Sequence, residues 1–272
     1  MALSLVTNIG SLIAANALTD NQAALNTSIS QLSTGNRIVS AATDPGGLSI
    51  ATETSGLLGA LNQASSNATN AQAFLQTADG ALSNIGNLLQ TAQQLATEAA
   101  DGSYNGTQLT SIDNQYQAIL SSINQIANGA SFNGISLLTG ASVTFQVGAT
   151  NTANDQLSVT IAKADTATLL INGTSLTSQG NAQGALTKVT AALATIAGDR
   201  ATVGSAEQSL TAVSNNLQST EQNLTSALSN IQDTNVAQTY ATFTKESVLQ
   251  QAGVQVLKQA EQTPSQLVAL FQ

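Results

Sequence analysis

The sequence predicts a mainly α protein, an elongated rod of long antiparallel coiled-coil helices with a small β-hairpin region. Three observations predict it. Leucine, isoleucine and alanine recur every seven residues in three separate stretches, a spacing that keeps an apolar seam on one side of a supercoiled helix. Apolar residues make up 42% of the chain but aromatics only 3%. The hydrophobic material is therefore mostly Ala, Leu, Ile and Val, which suits long helix–helix seams better than a compact enzyme core. Finally, residues 141–180 switch to an alternating pattern, the period of a strand.

Taken in order, residues 1–43 form a first helical segment whose apolar positions are Leu3, Ile9, Leu12, Ile13, Leu18, Leu25, Ile29 and Leu32. It ends at Asp44-Pro45-Gly46-Gly47, a strong interruption of helix. From about 56 to 99 the seam is Leu75, Leu82, Leu89 and Ala96, with Ala78, Ile85 and Ala92 at the offset positions. At 1.5 Å per residue such a helix is roughly 60 Å long. Gly80 and Gly86 each weaken it by about 1 kcal/mol relative to alanine. Asp101-Gly102 and Asn105-Gly106 bracket a break, after which Leu109, Ile112, Tyr116, Ile119, Ile123 and Ile126 give a second heptad run. Ser131-Phe132-Asn133-Gly134 reads as a turn, because Asn-Gly readily takes positive φ. Val143, Phe145 and Val147, then Leu157, Val159 and Ile161, predict a hairpin with a longer loop, and Leu169-Leu170-Ile171 a third short strand. Helix returns at about 182, with Leu210, Leu217, Leu224 and Ile231 one heptad apart. A last helical segment runs to about 262, where Pro264 is expected to close it before an apolar tail. Its apolar positions are Val248, Leu249, Val254, Val256, Leu257, Leu267, Val268, Leu270 and Phe271.

Composition removes much chemistry. The chain has no His, Cys or Trp, so Ser-His-Asp and Cys-His nucleophile systems, imidazole or thiolate metal sites and disulfides are excluded. The 15 acidic residues are scattered rather than paired. No catalytic, cofactor-binding or metal-binding residues are expected, and the chain reads as no enzyme. A net charge of −9 argues against nucleic acid, which needs a basic footprint. Apolar runs fall far short of the ~20 residues of a membrane span, so no membrane insertion is expected. Residues 1–8 carry no basic region of the kind that opens an ordinary secretory signal. Only 8% of residues are charged, so the seams must rest on apolar packing and amide hydrogen bonds rather than ladders of ion pairs.

Periodicity alone fits an ordinary monomeric helical bundle as well as an assembly. The ends tilt the balance. Chain termini tend to be polar and frayed, whereas both ends here are amphipathic and need cover, either from each other or from another molecule.

Several stretches resemble bacterial flagellin. Gln31-Leu32-Ser33-Thr34-Gly35-Asn36-Arg37-Ile38 followed by Ser40-Ala41-Ala42 is similar to the family's LSSGxRIxSAxDD motif. Asn67-Ala68 through Ala81-Leu82 resembles its NAxxxxxxxQTxxGAL stretch, and Ser131-Phe132-Asn133-Gly134 its xFNG turn. Ala227 to Asp233 resembles SAxSxIxDxD, and Val248 to Leu257 resembles ILQQAGxxVLAQAN. The resemblance covers both ends and most of the helical chain. It implies a structural subunit that polymerises with itself into the extracellular flagellar filament for motility. Segments 1–43 and 232–272 would be the D0-like inner core, where the terminal helices pair, and 44–231 the D1-like rod domain. Leu3, Ile9, Leu12, Ile13, Leu18, Leu25, Ile29 and Leu32 at one end, and Val248, Leu249, Val256, Leu257, Leu267, Leu270 and Phe271 at the other, would be the subunit interface. The resemblance also implies type III export, a flagellar export chaperone at the C-terminal helices, and contacts with filament cap and hook-junction proteins. A hook–filament junction protein, which shares the terminal helices, is the alternative. Only about 40 residues, the hairpin region 141–180, lie between the long helices, so this is a short form without large outer domains.

There are departures from the family pattern. The usual acidic-acidic-Ala-Ala-Gly stretch reads Thr43-Asp44-Pro45-Gly46-Gly47. The segment with which many enteric flagellins engage the innate immune receptor carries Arg and Glu. Here it runs Leu89-Gln90-Thr91-Ala92-Gln93-Gln94-Leu95, and Gln115 stands where Glu is common. Leu95 is kept, the charged anchors are not, and weak or no receptor activation is expected.

Overall fold

The computed structural model describes residues 8–270, with side chains over residues 8–262. Leu3 and Phe271 lie outside the described residues, as do the side chains of Leu267, Val268 and Leu270. The elements are α1 (Ile9–Thr34), α2 (Pro45–Ala99), α3 (Gly106–Gly129), β1 (Ser131–Phe132), β2 (Ile135–Ser136), β3 (Ser142–Gln146), β4 (Gln156–Thr160), α4 (Gln179–Gln232) and α5 (Val236–Leu270). They group into two compact units, one of residues up to Leu58 with those from Gln222 on, the other Gly59–Glu221.

The second unit holds the large core. Along α2 the seam positions Leu61, Ala64, Ala68, Ala71, Leu75, Ala78, Leu82, Ile85, Leu89, Ala92, Ala96 and Ala99 keep a 3-4 alternation, with buried Phe74 beside the seam. A period of 3.5 held over this length is the signature of a left-handed supercoil. Its partner α4 keeps the same period through Ala182, Ala185, Val189, Ala192, Ile196, Val203, Ala206, Leu210 and Leu217. The two run antiparallel: Asp79 pairs with Arg200 at 2.8 Å, Gln93 bonds Thr190 at 3.0 Å, and Gln179 bonds the Ala100 carbonyl at 3.0 Å. Asp199 occupies one seam position of α4, where burial raises its pKa and one carboxylate oxygen has no hydrogen-bond partner.

Helix α3 differs. Asn105 caps it in a reciprocal box with Gln108, both bonds at 3.0 Å, which satisfies two otherwise orphaned N–H groups. Its buried face is Leu109, Ile112, Tyr116, Leu120, Ile123 and Ala127. That 3-4-4-3-4 spacing is the 3.6-residue period of a straight helix rather than the heptad expected from sequence. Ile119 and Ile126 are consequently only half-buried, at the edge of the core.

Two small hairpins close the unit. β1 and β2 pair antiparallel around Asn133 (φ 49°) and Gly134 (φ 78°), the positive pair that a two-residue turn requires. β3 and β4 pair in register, Val143 with Val159 and Phe145 with Leu157, as the alternation predicts. Phe74 of α2 anchors both hairpins, meeting Phe132 and Phe145 edge-to-face at 5.8 and 5.4 Å. Leu169-Leu170-Ile171 is not a third strand. It is a series of tight turns in which Leu169 and Ile171 are buried and Leu170 faces outward. A short apolar run looks the same by composition whether its backbone bonds to a strand or to itself.

Two further boundaries move. α2 begins at Pro45, eleven residues before the expected start, because Asp44 accepts the Gly47 N–H at 2.8 Å as a helix cap and proline at the first helical position loses no hydrogen bond. α5 runs to Leu270 rather than closing at Pro264; proline deletes one rung of the ladder, and the rungs either side continue the helix.

Exposed threonines on these helices turn inward on their own backbone. Thr52, Thr69, Thr77, Thr91 and Thr97 on α2, and Thr187, Thr190, Thr195 and Thr202 on α4, each donate to the carbonyl four residues earlier. Among the described residues the only ion pairs are Arg37–Asp44, Lys163–Asp165 and Arg200–Asp79.

Candidate functional site

The first unit brings the two ends of the chain together. α1 and α5 run antiparallel, and polar side chains fix their register. Asn8 donates to the Ala260 carbonyl at 2.7 Å and Asn21 to the Glu246 carbonyl at 2.8 Å. Ser28, one of the few buried polar residues, donates to the Glu246 carboxylate at 2.7 Å, and Gln250 bonds Gln22. A hydroxyl buried at a helix seam must be matched or it costs roughly 1–3 kcal/mol, so this pairing favours one register over its neighbours. The helices approach closely where Gly253 faces Leu18; a Cβ at 253 would lie 3.3 Å from a Leu18 methyl.

The pair covers little of its own apolar surface. Leu25 is buried and Leu18, Leu32 and Leu257 are half-buried at the seam. Ile9, Leu12 and Ile13 on α1, and Val248 and Val256 on α5, remain more than half exposed; Ile29 and Leu249 are nearly so. Between them lies an apolar cleft of about 490 Å³ lined by Ala14, Ala17, Leu18, Asn21, Leu249, Ala252, Gly253 and Val256. No charged side chain lines it. Large apolar residues left in the open over two helix faces are unusual on the surface of a lone chain.

The sequence reading missed further members. Val236 and Tyr240, one turn apart on α5, are exposed at 61% and 62%; their spacing of four was the available signal. Val39, Leu48, Ile50 and Leu57 are exposed as well, in and after the linker to α2, where the Pro-Gly-Gly stretch hides the start of a helix.

Arg37 ties the junction of these segments. Its Nε and Nη2 donate to the Ile231 carbonyl at 3.0 and 2.7 Å, and Nη2 meets Asp44 at 3.2 Å. The guanidinium therefore sits at the C-terminal end of α4, where a cation complements the helix dipole, and against the capping residue of α2. The Gly47 amide, then Arg37, holds the Asp44 carboxyl below its ordinary pKa. Backbone bonds run alongside: Arg37 N–H to the Gln232 carbonyl at 2.7 Å and Thr234 N–H to the Gly35 carbonyl at 2.8 Å. Arg37 thus combines an ion pair with a cation at a helix end, inside one chain. Among the described residues no cluster of acidic, His or Cys side chains could hold a metal, and no helix is long and apolar enough to cross a membrane.

Comparison with known proteins matches this architecture. Residues 5–144 match the profile of the bacterial flagellin N-terminal helical region and residues 186–271 that of the C-terminal helical region. The flagellin of Shigella flexneri is 36% identical over 209 residues, 75% of this chain and 37% of that protein. The flagellin of Listeria monocytogenes is 28% identical over 281 residues, 97% of this chain and 98% of that one. The crystal structure of Bacillus cereus flagellin superposes with a TM-score of 0.50 at 31% identity, covering 56% of this chain and 88% of that chain. The chain spans between a third and a half of the length of the first curated relatives it matches. With both of its helical ends matched, and a solved member of similar fold, the chain belongs to the bacterial flagellin family.

Proposed function

We propose that the chain is a structural, non-enzymatic subunit that polymerises with itself into the extracellular flagellar filament. The observation that carries this is the α1–α5 pair, whose register is fixed while Ile9, Leu12, Ile13, Val248 and Val256 stay open. Each such side chain gains roughly 1.5–3 kcal/mol on full burial, a gain that packing against a neighbour adds to the backbone and seam contacts opposing the cost of ordering the helices. The contact is heterologous, because identical subunits stacked in an open helix present different faces to each other. In this reading segments 1–43 and 232–272 line the inner core and 44–231 forms the layer outside it. Monomers hold their end helices loosely and order them on joining. An export chaperone would grip the C-terminal helices beforehand, and cap and hook-junction proteins would meet the same apolar surface.

The test is seeded growth. Purified protein mixed with short fragments should extend into filaments visible by electron microscopy, and Leu12→Asp or Val256→Asp should abolish extension. Filaments from both variants would refute the reading. A reporter-cell response to the innate receptor as strong as that of an enteric flagellin would refute the expectation of weak or no activation.

A further inference from the structure

Asp199 departs from a rule that the buried polar residues of this chain obey. Ser28, Thr166 and Thr174 each have a hydrogen-bond partner for the hydroxyl. Oδ2 of Asp199 is closed off from water and has none; among the described residues the other such side-chain atom is Oε1 of Glu207, two turns further along α4.

Its place in the seam explains the isolation. Asp199 falls three residues after Ile196 and four before Val203, both buried, so it takes a heptad position that is otherwise apolar along α4. α2 lies opposite at this level: Arg200 pairs with Asp79, and a Cβ added to Gly86 would lie 3.8 Å from a methyl of Ile196. The α2 seam residues here are Leu82 and Ile85, both fully buried and without a polar side-chain atom to offer. The neighbouring cation is already committed, since Arg200 donates Nε and Nη2 to Asp79 at 2.8 and 3.1 Å. The titratable groups of the other elements are engaged as well. On α3, Asp113 accepts the Leu176 N–H at 2.6 Å and the Tyr116 hydroxyl meets that of Thr174. Beside β4, Asp155 accepts the Thr150 N–H at 2.9 Å. Lys188, the cation before Arg200 on α4, stands eleven residues from Asp199.

We propose that Asp199 is a proton-operated catch in the α2–α4 seam, which loosens the rod unit locally when the carboxyl is ionised and closes it when the carboxyl takes up a proton. A charge taken out of water without a partner is far costlier than a neutral polar group in the same place. Burial, with no charged neighbour contributing, raises the Asp199 pKa above the ordinary carboxyl value. The folded chain therefore keeps this proton over a range of pH where the unfolded chain has lost it. The penalty is complete above the folded pKa, fades as pH falls through it and is gone below the unfolded value. Asp155 and Asp165 are held low instead, so they act in the opposite sense and at lower pH. Mild acid tightens the seam before stronger acid weakens the unit. None of this depends on assembly.

Asp199→Asn keeps the shape of the side chain and removes its charge at every pH. Hydrogen exchange in full-length monomers reads the seam at the amides of Leu82, Ile196 and Val203. At about pH 7.5 these should exchange at least about threefold faster in the wild type than in the variant, and at about pH 4.5 the two should agree within about 1.5-fold. A smaller ratio at the higher pH, or one that does not fall with pH, would overturn the proposal. NMR titration of the carboxyl carbons in the wild type checks the group itself. The Asp199 carboxyl should titrate at higher pH than the same residue in a short peptide spanning residues 197–201, and a midpoint at or below that of the peptide would overturn the proposal equally.

Discussion

Replacing Arg37 with alanine should loosen the junction between α4 and α5 without unfolding the bundle. The guanidinium makes two hydrogen bonds to one carbonyl, that of Ile231 at 2.7 and 3.0 Å. Hydrogen bonds from charged groups contribute about 1.5–3 kcal/mol, and a cation at a helix C-terminus adds about 0.3–1 kcal/mol. The Arg37 side chain is 47% exposed, which screens roughly half of this. The expected loss is about 1–2 kcal/mol, a factor of about 5–30 in the local opening equilibrium. The backbone bonds of Arg37 and Thr234 survive the substitution, so opening should be local. Hydrogen exchange in assembled filaments reads it directly: the amides of residue 37 and Thr234 should exchange 5–30 times faster, while those around Leu82 and Leu89 keep their rates. Arg37→Lys should recover at most half of the protection, because a single ammonium cannot reproduce the planar fork that spans Ile231 and Asp44. Exchange within twofold of wild type in the alanine variant, or full recovery by lysine, would refute the reasoning.

Other outcomes follow from the same structure. Leu120→Ala in α3 should cost about 2–5 kcal/mol in urea denaturation and Ile119→Ala less than half as much; the reverse order would restore the heptad reading of that helix. Asp165, held at a pKa of about 2 by Lys163 and then by Thr168, has a folded pKa below its unfolded value. Its contribution is therefore complete above about pH 4 and lost as pH falls through about 2. With Lys163 half exposed this amounts to about 1 kcal/mol, and Asp165→Asn should flatten that part of the stability–pH curve. Filaments should withstand moderate salt, because the open faces of α1 and α5 are apolar and screening acts on exposed charges; depolymerisation by about 0.5 M sodium chloride, roughly three times physiological ionic strength, would contradict an apolar contact. Limited proteolysis of monomers should trim α1 and α5 back while sparing residues 59–221, and resistant ends would contradict ordering on assembly.

The seams of α2 and α4 were legible because nothing interrupts their period. Leu75, Leu82 and Leu89, like Leu210 and Leu217, fall on the buried face where the heptad puts them. The α3 face was legible only in part. Ile119 and Leu120 are adjacent and both apolar, so composition cannot choose between a 3.5 and a 3.6 repeat, and the packing of neighbours decides. Pro45-Gly46-Gly47 was read as a break because proline and glycine disfavour helix interiors, yet a cap from Asp44 makes the same residues a helix start. The turn at Leu170 was beyond reach, since its shape is set by Asn124 and Tyr116, more than forty residues away in sequence. At the ends, the apolar positions were readable, but which of them stay open was not. Leu25 and Ile29 look alike in sequence, and only the register set by Ser28 and Glu246 turns one inward and the other outward.

The threonines that bond their own helix have a consequence for where this protein can fold. A helix surface laced with ion pairs changes its stability with the ionic medium. Here the hydroxyls are satisfied by carbonyls of the same helix, so little of the surface answers to dissolved ions. The helices themselves should therefore gain or lose little stability between dilute and brackish salt.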